Sequence, residues 1–204
     1  MHVILEGLVT TINADGTVNI APMGPTVDAQ MRGLFLRPFP TSTTWANLSR
    51  TGVGVFHVTD DVELLAHAAI GRIDAMPVLL PAGVIEGQII ADACRWYAFR
   101  VKSVDESGQR VMVDAEIVGQ GVQREFFGFN RAKHAVLEAA ILATRITLLP
   151  LEEIQAEFAR LAALVYKTGG PQEHRAFLFL DDFLRAVLAS ETESAGATAS
   201  RSEP

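Results

Sequence analysis

The feature that most constrains the fold is a change of period near Asn130. Upstream, apolar residues recur at every second position, as Val111, Val113, Ala115 and Ile117 do. That is the spacing of a strand with one buried face. Downstream, Leu151, Ile154, Phe158, Leu161 and Val165 recur at steps of three and four, and Phe177, Leu180, Leu184 and Val187 repeat the pattern. Such a stripe belongs to an amphipathic helix. The chain therefore reads as α+β, mainly β, with its strands first and its helices after.

Turn signals divide the first part. Residues 3–12 are rich in β-branched side chains, "NADG" turns the chain, and residues 17–24 return, which predicts a hairpin. "GLFLRPF" is a third strand, stopped by Pro38 and Pro40, and "TTWANLSR" is a short helix with a hydroxyl cap. "GVGVFHV" follows as a strand. Asp60 and Asp61 then cap a helix through "VELLAHAAI", and residues 71–93 are loop with short pieces of structure. "RWYAFRVKSV" and "RVMVDAEIVGQGV" make a long hairpin around "DESGQ". The expectation is an antiparallel barrel or sandwich over residues 1–128 with an insert around 60–93, and a helical extension over 129–190. The small, polar residues 191–204 have nothing to bury and are expected to be disordered.

At 204 residues and 49% hydrophobic, the chain can bury a core without a staple; domains of this size remove about 70% of their unfolded surface from water. Cys94 is the only cysteine, so no intramolecular disulfide or cysteine-based zinc site can form. That fits a reducing, cytoplasmic setting. The N-terminus lacks a basic region and reads as a strand, and no apolar run reaches membrane-spanning length. A net charge of −7 disfavours nucleic acid as a partner but leaves room for a small anion at a local site. His57 and His67 lack metal-ligand spacing, so no metal is expected. "GVG" at residues 52–54 lacks the rest of a dinucleotide fingerprint, and there is no nucleophile elbow.

"RPFPTSTTWANL", residues 37–48, is the candidate site. A strand delivers Arg37, two prolines stiffen the turn, and a helix starts near Thr43. Free N–H groups and a partial positive charge mark a helix start. Hydroxyls can donate to phosphate oxygens there, and a guanidinium can grip them in bidentate fashion. Thr44 and Asn47 share a helix face. Arg37, Thr41, Ser42, Thr43, Thr44 and Asn47 are thus candidates to surround one phosphate, against the plainer reading of a capping turn. A second candidate is "FFGFNRAKHAVLEA", where Asn130 caps a helix and Arg131 and His134 stand on its first turn. They are substrate candidates, while the phenylalanines read as packing residues.

"ILEGLVTTINADGTVNIAPMG", "RPFPTSTTWANL", "GVGVFHVTDD" and "FNRAKHAVLEAAILATRI", in that order, resemble the FMN-binding split barrels. The superfamily includes flavin reductases and pyridoxamine phosphate oxidase-like proteins, and the pattern is most similar to domain of unknown function 447 (DUF447). The resemblance covers most of residues 3–190. It implies a six-stranded antiparallel split barrel and a homodimer with FMN near the subunit interface. The flavin phosphate would lie at residues 37–47, and the ring along Asn19, Ala21, Pro22 and Met23, with Ala21 and Gly24 allowing close approach. It also implies an oxidoreductase passing electrons between a hydride donor and a small substrate. A flavin carrier or sensor, or a barrel holding another phosphate-bearing cofactor, are the alternatives. No catalytic residue is assigned.

Overall fold

The structure is a computed structural model that describes residues 2–199. In chain order its elements are β1 (His2–Ile4), β2 (Gly7–Ile12), β3 (Val18–Met23), β4 (Thr26–Asp28), β5 (Gly33–Leu36), α1 (Thr43–Thr51), β6 (Val53–Val58), α2 (Val62–Ala69), β7 (Leu79–Pro81), β8 (Gln88–Ile90), β9 (Arg95–Asp105), β10 (Met112–Val122), α3 (Arg131–Ala143), α4 (Leu151–Thr168) and α5 (Pro171–Ala199). They form two compact units. One holds the chain up to Asp61 together with Ile73–Gly128; the other holds Val62–Arg72 and the chain from Phe129 onward. Among the described residues no helix is long and apolar enough to cross a membrane.

The first unit is an eight-stranded antiparallel sheet in the order β1-β4-β5-β10-β9-β6-β2-β3, with a separate β7-β8 hairpin. Connectivity forces the sheet to curl. Ile4 and Gly7 lie three residues apart, yet β1 and β2 stand first and seventh in the order. Six strand spacings span about 29 Å in a flat sheet, whereas a three-residue link reaches at most about 11 Å. The link from β3 back to β4 makes the same demand. At this seam Leu5 N–H donates to Pro25 C=O at 3.1 Å. The result is a curled half-barrel of the split-barrel class, with eight strands where six are expected. The count differs because residues 3–12 break into β1 and β2, and because β4 joins the sheet.

Side chains on the concave face meet the inner face of α1. Val9, Val27, Leu34, Leu36, Phe56 and Phe99 pack with Trp45 and Leu48, which sit three positions apart on the helix. Removing that much apolar surface from water is the main force holding α1 on the sheet.

The helical unit buries Ile154, Phe158, Leu161 and Val165 of α4 and Ala176, Phe177, Leu180 and Leu184 of α5. The buried face of α3 is Ala132, Ala135, Val136, Ala139 and Ala140, small enough for close packing on α4. Helix α2 packs with α3 and α5, so it belongs to this unit and is not an insert of the barrel domain. Helix α5 continues through Ala199, where the sequence predicts an unstructured tail from residue 191. "ETESAGATA" carries glutamates and alanines that favour helix. Residues 200–204 of the expected tail lie outside the described residues.

Candidate functional site

Helix α1 begins at the candidate stretch. Ser42 is its N-cap: the hydroxyl accepts the Trp45 N–H at 3.1 Å and donates to Phe39 C=O at 2.7 Å. The serine's donor is thereby spent on capping. The N–H groups of Thr43 and Thr44 have no partner among the described residues, and the first turn holds no acidic residue. The exposed hydroxyls of Thr41 and Thr43 flank them. Arg37 is exposed at the end of β5, and its guanidinium makes no hydrogen bond or ion pair among the described residues.

Beneath this turn lies a polar network the sequence only half reveals. Asn19 donates from its amide nitrogen to the hydroxyls of Thr11 and Thr44, each at 3.1 Å. Asn47 donates to Thr11 at 3.0 Å and to the Asn13 side-chain oxygen at 2.7 Å. Thr11, Thr44 and Asn47 are 2%, 3% and 5% exposed, so these bonds satisfy groups that would otherwise be costly to bury. The Arg50 guanidinium adds a bond to the Ile12 carbonyl. The Thr44-x-x-Asn47 spacing therefore fastens α1 to the β2–β3 hairpin. Both N–H donors of Asn47 are used inside the protein, which removes it, with Ser42, from the donors available to a phosphate. Thr44 accepts from Asn19 and keeps its O–H. The donors that remain at the turn are Arg37, Thr41, Thr43 and Thr44. Thr11 and Asn13 escape sequence reading; a threonine on the buried face of a strand was the only signal.

The second expected segment is β3, an edge strand paired on one side only. Asn13 N–H bonds Thr17 C=O at 2.8 Å, and the register then runs Ile12–Val18, Thr11–Asn19, Thr10–Ile20, Val9–Ala21 and Leu8–Pro22. Hydrogen-bonded and non-bonded pairs alternate in such a ladder. Asn19, Ala21 and Met23 thus face β2 with their backbone groups, and Ile20 turns its N–H and C=O to the open edge. Pro22, which has no N–H, falls on an outward position, where proline is tolerated in a strand. Asn19 joins the two places, because its side chain bonds Thr44 at the start of α1. Gly24 serves something else: a Cβ there would lie 2.8 Å from the Glu6 carboxylate oxygens and 2.9 Å from Ile4, so its smallness admits the barrel seam.

The substrate candidates fall in the helical unit. Asn130 caps α3, its side-chain oxygen accepting the N–H groups of Ala132 and Lys133 and its nitrogen donating to Thr168 C=O at 3.0 Å. Those bonds give it a structural task. Arg131 and His134 are exposed on the first turn, and the His134 ring stacks on Phe129 with centroids 6.0 Å apart. Two other groups have perturbed chemistry but structural partners. His57 is fully buried; its Nε2 accepts the Ile90 N–H at 3.1 Å, so Nδ1 carries the proton toward Leu8 C=O at 3.3 Å. Burial lowers its pKa to about 4. Burial likewise pushes the Cys94 thiol up, leaving it unreactive beside Asp60. Among the described residues no cluster of histidine, cysteine or carboxylate side chains could hold a metal.

The N-terminal domain model of the protein of unknown function DUF447 matches residues 5–124, and a second DUF447 model matches residues 130–181. The chain belongs to the DUF447 family. The gap between the two matches brackets the Gly128–Phe129 boundary between the units of this DUF447 chain. An FMN-bound DUF447 protein of Methanosarcina mazei superposes with a TM-score of 0.76, at 24% identity, over 88% of this chain and 94% of that one. Flavoredoxin of Methanosarcina acetivorans aligns over 58% of this chain and 68% of its own, at 14% identity and a TM-score of 0.51. The 2-nitrobenzoate 2-nitroreductase of Pseudomonas fluorescens covers 58% and 64%, at 20% identity and a TM-score of 0.50. Among curated proteins, none matches this chain. These two each align over 58% of this chain, against 88% for the family member.

Proposed function

We propose that this DUF447 chain binds FMN and works as an oxidoreductase, passing electrons between a hydride donor and a small substrate. The observation that carries the reading is the bridge made by Asn19. It ties a helix start rich in unspent donors to a strand whose backbone faces an open edge. Arg37, Thr41, Thr43 and Thr44 would hold the phosphate, with the N–H groups of Thr43 and Thr44 beside them. The Ile20 N–H and C=O, within the stretch Asn19, Ala21, Pro22 and Met23, would meet the polar edge of the ring. The donor set fits a dianion: it is cationic and hydroxylic, with no carboxylate in the first turn. One compact donor set and no adenylate motif favour FMN over FAD. The FMN held by the Methanosarcina mazei relative supports the same choice.

When bound, FMN supplies hydride and electron transfer; the protein supplies binding, orientation and electrostatics. Arg37 and the threonines fix one end, and the β3 backbone fixes the other without a side chain committed to covering the ring. A homodimer belongs to this reading. Ile4, Phe35 and Met112 leave apolar surface exposed on the sheet unit, and light scattering should return twice the chain mass. Stopped-flow mixing of FMN-loaded protein with NADH, NADPH and a reduced deazaflavin tests the reaction. Reduction by one of them faster than free FMN is expected. No acceleration by any of the three overturns the oxidoreductase reading in favour of a carrier.

A further inference from the structure

The loop that presents Arg37 is held from outside by the tip of the β9–β10 hairpin. Arg110 donates from Nη1 to the Arg37 carbonyl at 3.2 Å. Its guanidinium carbon sits 3.2 Å from the centre of the Phe39 ring. The neighbouring Val111 N–H donates to Pro38 C=O at 3.2 Å. Three consecutive residues, 37 to 39, are therefore gripped by two consecutive residues of the tip.

Phe39 stays 48% exposed although it stands between two prolines, so burial is not what fixes it. Pro38 and Pro40 have no N–H to donate, and the loop's own backbone bond, Ser42 N–H to Phe39 C=O at 3.0 Å, leaves the Arg37 end to be held from elsewhere. The Arg37 side chain, in turn, has no partner among the described residues to aim it. Its direction follows from the backbone of residues 37–39; Val111 holds Pro38 and Ser42 holds the Phe39 carbonyl, while Arg110 alone holds the Arg37 carbonyl and the Phe39 ring. A planar guanidinium suits both tasks at once, stacking on the ring and donating in its own plane.

We propose that Arg110 is a positioning residue for the phosphate site: it sets the Arg37 loop so that the Arg37 guanidinium faces a bound phosphate. This rests on the phosphate reading of Arg37 and α1. Lysine at this position would keep the charge but lose the flat stack and the fork, and so would not restore the function.

FMN and riboflavin, which differ by the phosphate alone, are the probes. Apo-protein is titrated with each by flavin fluorescence in the wild type, Arg37→Ala, Arg110→Ala, Arg110→Lys and the Arg37→Ala/Arg110→Ala double variant. Arg110→Ala is expected to weaken FMN about fivefold, with riboflavin unchanged within about twofold. Arg110→Lys should resemble Arg110→Ala and serves alone if the alanine variant does not fold. The double variant should bind FMN no more weakly than Arg37→Ala, because the two act as one unit. Equal losses of FMN and riboflavin in the Arg110 variants, or additive losses in the double variant, overturn the positioning role. If Arg37→Ala itself fails to separate FMN from riboflavin, the phosphate site falls, and the role of Arg110 falls with it.

Discussion

Arg37 and Asn47 belong to one stretch of sequence and answer to different physics. Arg37 is exposed with its charge unspent, so its loss costs the fold little. Charge-assisted hydrogen bonds contribute about 1.5–3 kcal/mol each, so Arg37→Ala should weaken FMN binding by roughly ten- to a hundredfold. Its unfolding free energy should stay within about 0.5 kcal/mol of wild type. Asn47→Ala should do the reverse. It strips buried bonds to Thr11 and Asn13, costing about 1–3 kcal/mol of stability, while FMN affinity moves less. Urea unfolding and FMN titration of both variants check the pair. A stable Asn47→Ala protein that loses FMN as badly as Arg37→Ala would put the carboxamide on the ligand. From sequence, the two roles are indistinguishable: both residues are polar and flank the same turn. What separates them is Thr11 and Asn13, more than thirty positions upstream, a contact that no local pattern encodes.

At the scale of elements, the β7–β8 hairpin is joined to β2 and β6 by the Thr10 hydroxyl, which donates to Gln88 C=O at 2.5 Å, by the packing of Val55 with Ile89, and by one histidine. His57 lies on β6, accepts from Ile90 on β8 and reaches Leu8 on β2. It must be neutral to accept that N–H. Its folded pKa of about 4 lies below the ordinary 6.5, with burial as the main cause. Above pH 6.5 both folded and unfolded chains are neutral here, and the full stability is present. As pH falls toward 4, the unfolded state takes up the proton first, and stability drops by about 3 kcal/mol in total. Urea midpoints measured between pH 7 and pH 4 should therefore fall. His57→Gln, which keeps a hydrogen-bonding side chain but cannot titrate, should flatten that part of the slope; an unchanged slope would place the acid sensitivity elsewhere.

Element length decides which parts of the fold are legible in the sequence. The strands β9 and β10 and the helices α4 and α5 run long enough for their period to declare itself. Strand β4 has three residues, too few for any alternation to stand out. The break at Leu5–Glu6 is invisible locally because β-branched residues continue on both sides. It is imposed by barrel closure, which sends β1 and β2 to opposite ends of the strand order. Helix α2 carries a readable apolar face in Val62, Leu65 and Ala66. Its partners, α3 and α5, lie more than sixty residues downstream, so its membership of the helical unit is a fact of packing alone.

For the molecule as a whole, the proposed function ties a DUF447 chain, a curled eight-stranded sheet and a donor-rich helix start to one cofactor. The order of motifs along the chain carries much of this, since their succession resembles the family before any contact is known. The division of labour within the stretch at residues 37–47 does not, because it depends on which donors the fold has already spent. On the proposed function, the unspent donors hold FMN. Mass spectrometry of the ligand released when purified protein is denatured, with titration of the apo-protein by FMN, FAD and riboflavin, tests it most directly. The expected result is released FMN, a yellow reconstituted protein, and affinity in the order FMN above riboflavin, with FAD not preferred. Release of FAD, or an apo-protein that binds none of the three, would contradict it.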